Sequence, residues 1–451
     1  MSLAMRLITN ALARFSLTTL LMPAAVLAGT GPDTQDVELP SITPEITKAY
    51  QSVLLHVQSG DSELAVISAR EVVDQLAATH GEDSELLATP VIYLGLAQLG
   101  NHEAVDALNS FGRAVELIET SAGPFDPGLV PPLQGIAMSH MSLENYDVAA
   151  SALRRAQHVT HRHKGVYNAD QLAIVDKLIE VDKMTGKYRD IERQELFYLK
   201  VHEDVYGKAD SRILPALQRL GEYMAHRAAK FRSRYLNAEY QMRRKNYFKQ
   251  SFDLYQRAIR IVEENYGDKD LRLIEPLRGL ALAKLSKGFG IKTASESLRR
   301  VVDVVKANPG SDVGDIARAT VDLGDLYTRW NDGRATEAYR EAWNAIPDEE
   351  IYQELRDELF GTPVRLVPTS IKATLPKRPW RTEDEIFTDL EYVVRANGRA
   401  ARFQFVDGNL VGNERRNLRS RLRNARFRPR VVDGEVVRTE GMILHQQYEV
   451  R

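Results

Sequence analysis

The chain has 451 residues, 60 of them basic and 62 acidic, and 43% are hydrophobic. That balance is ordinary for a folded protein and excludes a disordered, collagen-like or multi-span membrane chain. Cysteine is absent, which removes disulfides, thiolate zinc sites and cysteine nucleophiles. The near-neutral total hides an asymmetry. From Gly361 onward there are 18 basic and 11 acidic residues, so a basic C-terminal part follows an acidic remainder.

At the N-terminus, Arg6 and Arg14 precede an apolar run of 14 residues, Phe15 to Ala28. That run suits the core of a secretory signal and is short of the roughly 20 residues a spanning helix needs. Val26 and Ala28 supply the small residues of a cleavage site before Gly29. The expectation is export to the periplasm of a Gram-negative bacterium with cleavage after Ala28. Retention as an inner-membrane anchor facing the periplasm is the alternative.

A repeat follows. Gly81, Gly123, Gly165 and Gly207 recur every 42 residues, Gly267 follows after 60 and Gly310 after 43. Thirteen residues past each glycine stand Leu94, Ile136, Leu178, Leu220, Leu280 and Leu323. The next position is small in five of six cases: Gly95, Ala137, Gly221, Ala281 and Gly324, with Ile179 the exception. Within each unit the apolar spacing i, i+3, i+4, i+7 predicts two amphipathic helices. The small residue lets the facing helix approach closely, and the anchor glycine is expected to end the second helix in a left-handed cap. About seven hairpins are expected between residues 40 and 360, the first from Pro44 to His80.

These features resemble the tetratricopeptide repeat family in its 42-residue variety, best in the stretches Lys200 to Met224 and Ser251 to Leu285. The resemblance implies a mainly α, stacked helical solenoid whose partners are extended peptides or helices. The long interval between Gly207 and Gly267 marks an insertion near 226–249. It holds eight Lys or Arg against Glu239, with Phe231, Tyr235, Tyr240, Tyr247 and Phe248 interleaved. A solvated basic face on an extended helix accounts for it. An anionic partner is the functional reading, and nucleic acid is not expected for an exported chain.

Residues 361–381 hold Pro363, Pro368, Pro376 and Pro379 and predict an extended connector. Thr382 is placed to cap the acidic run Glu383 to Glu385. Beyond it, strand-formers flank the hairpin signal Asn397-Gly398. A helix over Asn413–Ala425, the segment Arg-Phe-Arg-Pro at 426–429, the turn Asp433-Gly434 and a last strand from Glu435 to Val450 complete a small α+β domain. Cut away at Gly361, the helical part is expected to stay folded by itself.

The pattern Val393, Val394, Gly398, Phe427, Pro429, Asp433, Gly434 and Val436 resembles the TonB C-terminal domain family. In the energy-transducing members of that family a Ser-x-x-x-His segment engages the inner-membrane motor, and this N-terminal segment lacks it, the first histidine being His56. Phe427 is expected to plug the helix onto the sheet. The domain's arginines, among them Arg395, Arg402, Arg426 and Arg428, either keep it soluble or pair with an acidic peptide or anionic surface. The last strand is expected to form a sheet edge, with Ile443 and Leu444 beside it. Such an edge accepts a partner's strand or a second copy of the chain.

No catalytic constellation emerges. Gly288-Phe-Gly290 lacks a third glycine, Gly186-Lys187 is followed by Tyr188, and His202-Glu203 lacks a second histidine four residues on. His158 and His161 share a helical face with His163 close by, a spacing open to a metal. Cations at a helix C-terminus explain the three equally well, so no metal or cofactor is assigned. The sequence reads as a non-enzymatic, exported adaptor for periplasmic or envelope proteins. The alternative is a membrane-anchored component of energy-coupled outer-membrane transport.

Overall fold

The computed structural model describes residues 61–230, 238–287, 290–366, 374–375 and 386–450, with residues 53, 55, 56 and 59. The signal expected over 1–28 lies outside these residues. So do Phe231 and Tyr235 of the basic insertion, Pro368, Pro376 and Pro379 of the connector, and the Thr382 cap. The chain is mostly helical, a tetratricopeptide-like solenoid followed by a small sheet region, and it falls into two compact units, Met1–Val205 and Tyr206–Arg451.

In the first unit α1 spans Ser62–His80. The hairpin α2 (Ala88–Gly100) and α3 (Ala104–Ala122) follows, then α4 (Val130–Ser142) with α5 (Tyr146–Lys164) and α6 (Gln171–Met184) with α7 (Tyr188–Tyr206). First helices have 13 or 14 residues and second helices have 19. The second unit repeats the arrangement with α8 (Leu214–Lys230) and α9 (Ala238–Tyr266), α10 (Ile274–Lys287) and α11 (Ile291–Ala307), and α12 (Val313–Arg329) and α13 (Arg334–Asn344). The long Gly207–Gly267 interval is explained by this second unit's first hairpin, whose helices reach 17 and 29 residues.

The anchor glycines end helices in a conformation different from the expected one. Gly81, Gly123 and Gly165 have φ of 88°, 92° and 80° with ψ of 156°, 173° and 172°. That is the extended region of positive φ, open essentially to glycine alone, and not the left-handed cap. Gly207 and Gly267 share the positive φ. The turn it opens leads to an Asp, Asn or Ser three residues on. Ser84, Asp126, Asp210 and Asp270 each accept a hydrogen bond from the backbone N–H two residues later, which starts the next helix. Gly310 is different. Pro309 pushes the preceding residue into the extended region, so α11 ends at Ala307 and its cap Asn308 has ψ 119°. Gly310 has no positive φ and donates to Asn308 Oδ1 at 3.0 Å.

The small residues of the first helices are seats for aromatic rings. A Cβ on Gly95 would fall 2.8 Å from Phe111, and one on Gly135 only 2.4 Å from the same ring. In the second unit Tyr255 lies between Gly221 and Gly279, where added Cβ atoms would stand 3.0 and 2.1 Å away. Tyr339 sits against Gly324 in the same way, at 2.5 Å. Leu153 and Leu298 fill the corresponding position elsewhere. In the α6–α7 hairpin that position is Glu195, which is buried, and the small-residue site is Ile179. This hairpin departs furthest from the pattern.

After α13 a short helix, α14 (Gln353–Arg356), passes into a single π turn over Asp357–Gly361. Strands follow: β1 (Val364–Arg365), β2 (Thr374–Leu375), β3 (Ile386–Val394) and β4 (Ala400–Gly408). Helix α15 (Asn413–Asn424) leads to β5 (Phe427–Arg428), β6 (Arg430–Val432), β7 (Glu435–Val437) and β8 (Thr439–Val450). The largest sheet has the order β2-β8-β3-β4, with β3 antiparallel to both long neighbours and β2 parallel to β8. Its inner face buries Ile386, Leu390, Tyr392 and Val394 against Leu418 and Leu422 of α15 and against Phe427.

The last expected strand is therefore two. β7 pairs with β6 across the Asp433-Gly434 turn, both residues at positive φ as a tight hairpin requires. That hairpin turns away from the large sheet: Val431 and Val436 join Ala317, Val321, Tyr339, Ala342, Ile346 and Phe360 in the core of the last helical hairpin. An end of a repeat stack must be covered, and here the hairpin β6–β7 does it. The expected separation at Gly361 meets a shared core.

Candidate interaction site

The sheet region meets the last helical hairpin at an ion pair. The guanidinium of Arg428 donates to both oxygens of Asp325 on α12, at 3.0 and 2.8 Å, and to the carbonyl of Leu359 at 3.1 Å. Both side chains are almost buried, 13% and 12% exposed. Asp325 also accepts from the Tyr339 hydroxyl at 2.9 Å, and that hydroxyl lies 2.9 Å from Thr328 Oγ1. Burial is the largest single influence and opposes the charge on Arg428, but its bond to Asp325, together with the electrostatic effects of Asp325, Tyr339 and Asp322, outweighs burial and the guanidinium is held ionised. Burial and the Asp325 charge push the Tyr339 phenol far above its ordinary value, so it remains a donor.

Gly398 completes the junction. It lies in the β3–β4 turn at φ 71°. A Cβ there would come within 2.2 Å of the Phe427 carbonyl and 2.7 Å of Thr328 Cγ2. Phe427 N–H donates to the Gly398 carbonyl at 2.9 Å, which fastens β5 to the turn. On the surface above, Arg340 makes a bidentate pair with Glu435 of β7. Neighbouring α12 carries a second acid, Asp322, held by Arg278 of α10 at 2.9 Å.

The residues expected to meet a partner are scattered. Arg428 is a correction: it is committed inside the chain. Arg426 is partly buried and donates to the carbonyl of Ala425 at 3.0 Å, and burial with the nearby Arg399 lowers its basicity. Arg395 and Arg402 are exposed. Arg402 occupies a bulge of β4 at φ 52°, where the register with β3 shifts. Phe427 is buried beside Tyr392 at a ring distance of 5.6 Å, and Pro429 is buried next to it.

On β8 the side chains alternate. Leu444 and Met442 pack on the sheet core, while Ile443 is 63% exposed on the other face. Beside Ile443, His445 Nδ1 stands 2.5 Å from Asp389 Oδ1 of β3. Among the described strands, β8 pairs on its outer side with β2 alone, at Glu449 and Val450.

The histidines of α5 do not converge. His158 packs edge-on to Phe125, His161 faces Phe197, and His163 Nε2 lies 2.6 Å from the Phe125 carbonyl. Among the described residues no group of three His, Asp or Glu is placed to hold a metal, and no helix is long and apolar enough to cross a membrane.

Sequence reasoning missed Asp325, Thr328 and Tyr339. Asp325 and Arg428 are 103 residues apart, and no local pattern joins them. The signal available was the ring itself: Tyr339, like Phe111 and Tyr255, stands where a glycine-notched helix needs a knob.

No known family's sequence profile and no curated protein matches the chain. Among solved structures, a kinesin light chain of Podosopora anserina with nearly identical TPR-like repeats is similar at 11% identity. That match covers 49% of this chain and 96% of the other, with a TM-score of 0.37. PilF of Pseudomonas aeruginosa is similar at 15% identity over 60% of this chain and 97% of its own, with a TM-score of 0.29. The TPR2AB domain of yeast Sti1, in its pHSP90 complex, is similar at 13% identity over 70% and 96%, with a TM-score of 0.26.

Proposed function

We propose that the chain is an exported, non-enzymatic scaffold for protein–protein interaction in the cell envelope, with a C-terminal sheet region of the TonB C-terminal type. The observation that carries this reading is the run of helical hairpins, three of them complete in each unit among the described residues. Three of these hairpins are locked by an aromatic ring in a glycine notch, and helical repeat arrays present long rows of side chains to a partner. The residue motif from Gly398 to Val436 supports the TonB-like assignment, and the segment from Arg6 to Ala28 supports export. The exposed face around Ile443 and the exposed Arg395 and Arg402 are where a second envelope partner or an acidic surface would bind, and the outer edge of β8 is where a second copy would pair. On α9 the exposed Arg243, Lys245 and Lys249 supply a further basic surface.

Expression in a Gram-negative host, followed by fractionation and intact mass, tests the reading. The expected species is periplasmic, begins at Gly29, and cross-links to envelope proteins from photoreactive residues placed at 395 and 443. A membrane-bound species that keeps Met1 would favour the anchored transport component. Absence of cross-links at either position would remove the sheet region from the interaction surface.

A further inference from the structure

In the second unit, α9, α10 and α11 line an open cleft of about 340 Å³, at the small end of the range for small-molecule sites. Its floor is apolar: Ile259, Leu277 and Leu280 are each buried. At one end stands Lys284. Its ammonium donates to Ser297 Oγ at 2.9 Å and to the carbonyl of Thr293 at 3.1 Å, and both acceptors are neutral. Burial lowers the Lys284 pKa, against a weaker opposing effect of Glu296 on the rim. Among the described residues the Lys284 ammonium has no carboxylate in hydrogen-bonding reach, which is unusual for a partly buried ammonium. The other rim groups do not cancel it. Glu263 is occupied by Arg300 in an ion pair, and Arg260 is exposed at the opening.

We infer that this cleft binds a small carboxylate with an apolar body, the carboxylate on Lys284 and the body on Ile259, Leu277 and Leu280. Two donors already fixed on Ser297 and Thr293 orient the third ammonium N–H. A carboxylate there gains a charge-assisted bond in a site partly shielded from water. The body replaces water on a buried apolar floor. Arg260 at the opening attracts the anion and adds no fixed geometry.

Isothermal titration of the full chain with sodium hexanoate tests this, with hexan-1-ol as the uncharged counterpart. Saturable one-to-one binding of hexanoate is expected, at least about tenfold tighter than hexanol. Lys284→Met, checked for an unchanged melting curve, should lose at least about tenfold in hexanoate affinity and leave hexanol unaffected. Arg260→Glu, on the exposed rim where folding is not at risk, should weaken hexanoate by about threefold or more. Equal binding of acid and alcohol, no saturation by about 10 mM, or an unchanged affinity in Arg260→Glu would overturn the site. A leucine-ended tripeptide with a free carboxylate, compared with its amide, identifies the source of the anion. Tighter binding of that peptide than of hexanoate would assign the site to chain termini, and weaker binding to free acids.

Discussion

Two kinds of junction hold this protein together, and they use opposite chemistry. Between helical hairpins, Phe111 fills a notch made by Gly95 and Gly135. That contact is apolar, tolerant of salt and pH, and set by shape alone. Between the last hairpin and the sheet region, Arg428 reaches a buried carboxylate that also takes a hydroxyl. A buried ion pair adds little net stability over an apolar substitute, yet leaving one partner alone is costly. The first kind of junction stiffens the array. The second fixes which surface of the sheet region docks, since Arg428 is the group that neutralises and bridges both oxygens of Asp325.

Breaking the polar junction should have the largest effect. Arg428→Ala leaves Asp325 buried with the Tyr339 hydroxyl as its remaining donor, and should cost about 3–5 kcal/mol in urea unfolding of the second unit. Arg428→Met combined with Asp325→Leu should recover most of that loss. Failure of the pair to recover would mean that the ion pair is valued for more than mutual neutralisation.

Overfilling the apolar junction comes next. Gly135→Ala puts a methyl 2.4 Å from the Phe111 ring and should cost about 1–3 kcal/mol. Phe111→Leu in the same chain should absorb part of this, visible as a coupling in a double-mutant cycle.

The glycine turns sharpen the comparison further. Gly123→Ala, at φ 92° and ψ 173°, should cost on the order of 1–2 kcal/mol. Gly310→Ala, at ordinary φ, should stay within about 0.5 kcal/mol by the same thermal melt. Equal costs would show that the two glycines share one role.

The smallest effect is expected at Asp182. It is buried, its Oδ1 has no hydrogen-bond partner among the described residues, and burial, aided by Asp190, raises its pKa. A raised folded-state value means the folded chain binds the proton more tightly than the unfolded one. The group's contribution therefore worsens as pH rises above the ordinary aspartate value. Asp182→Asn should raise the melting temperature at pH 7, and the gain should shrink as pH falls toward 4. A gain independent of pH would assign it to packing instead.

Much of this was legible in the sequence. The 42-residue spacing of glycines located the helix ends, and the position after Leu94 or Leu323 located the close approaches. Asn397-Gly398 and Asp433-Gly434 marked both tight hairpins. The misreadings have physical causes. Gly310 fits the spacing, but Pro309 ends its helix two residues early, so the glycine has no positive φ to supply. The Glu435–Val450 stretch reads as one strand because strand-formers continue through it. Its first three residues pair instead with β6, since Val431 and Val436 find a better core on α12 and α13. Arg428 looked like one surface arginine among many. Its assignment depends on a carboxylate 103 residues away, which no local pattern reveals.

The central claim is that the sheet region and the last helical hairpin form one cooperative body held at Arg428. Hydrogen exchange on the full chain, wild type against Arg428→Ala, tests it most directly. The expected result is a joint loss of protection in α12, α13 and β3 through β8. Loss confined to the sheet strands, with α12 and α13 protected as before, would contradict it.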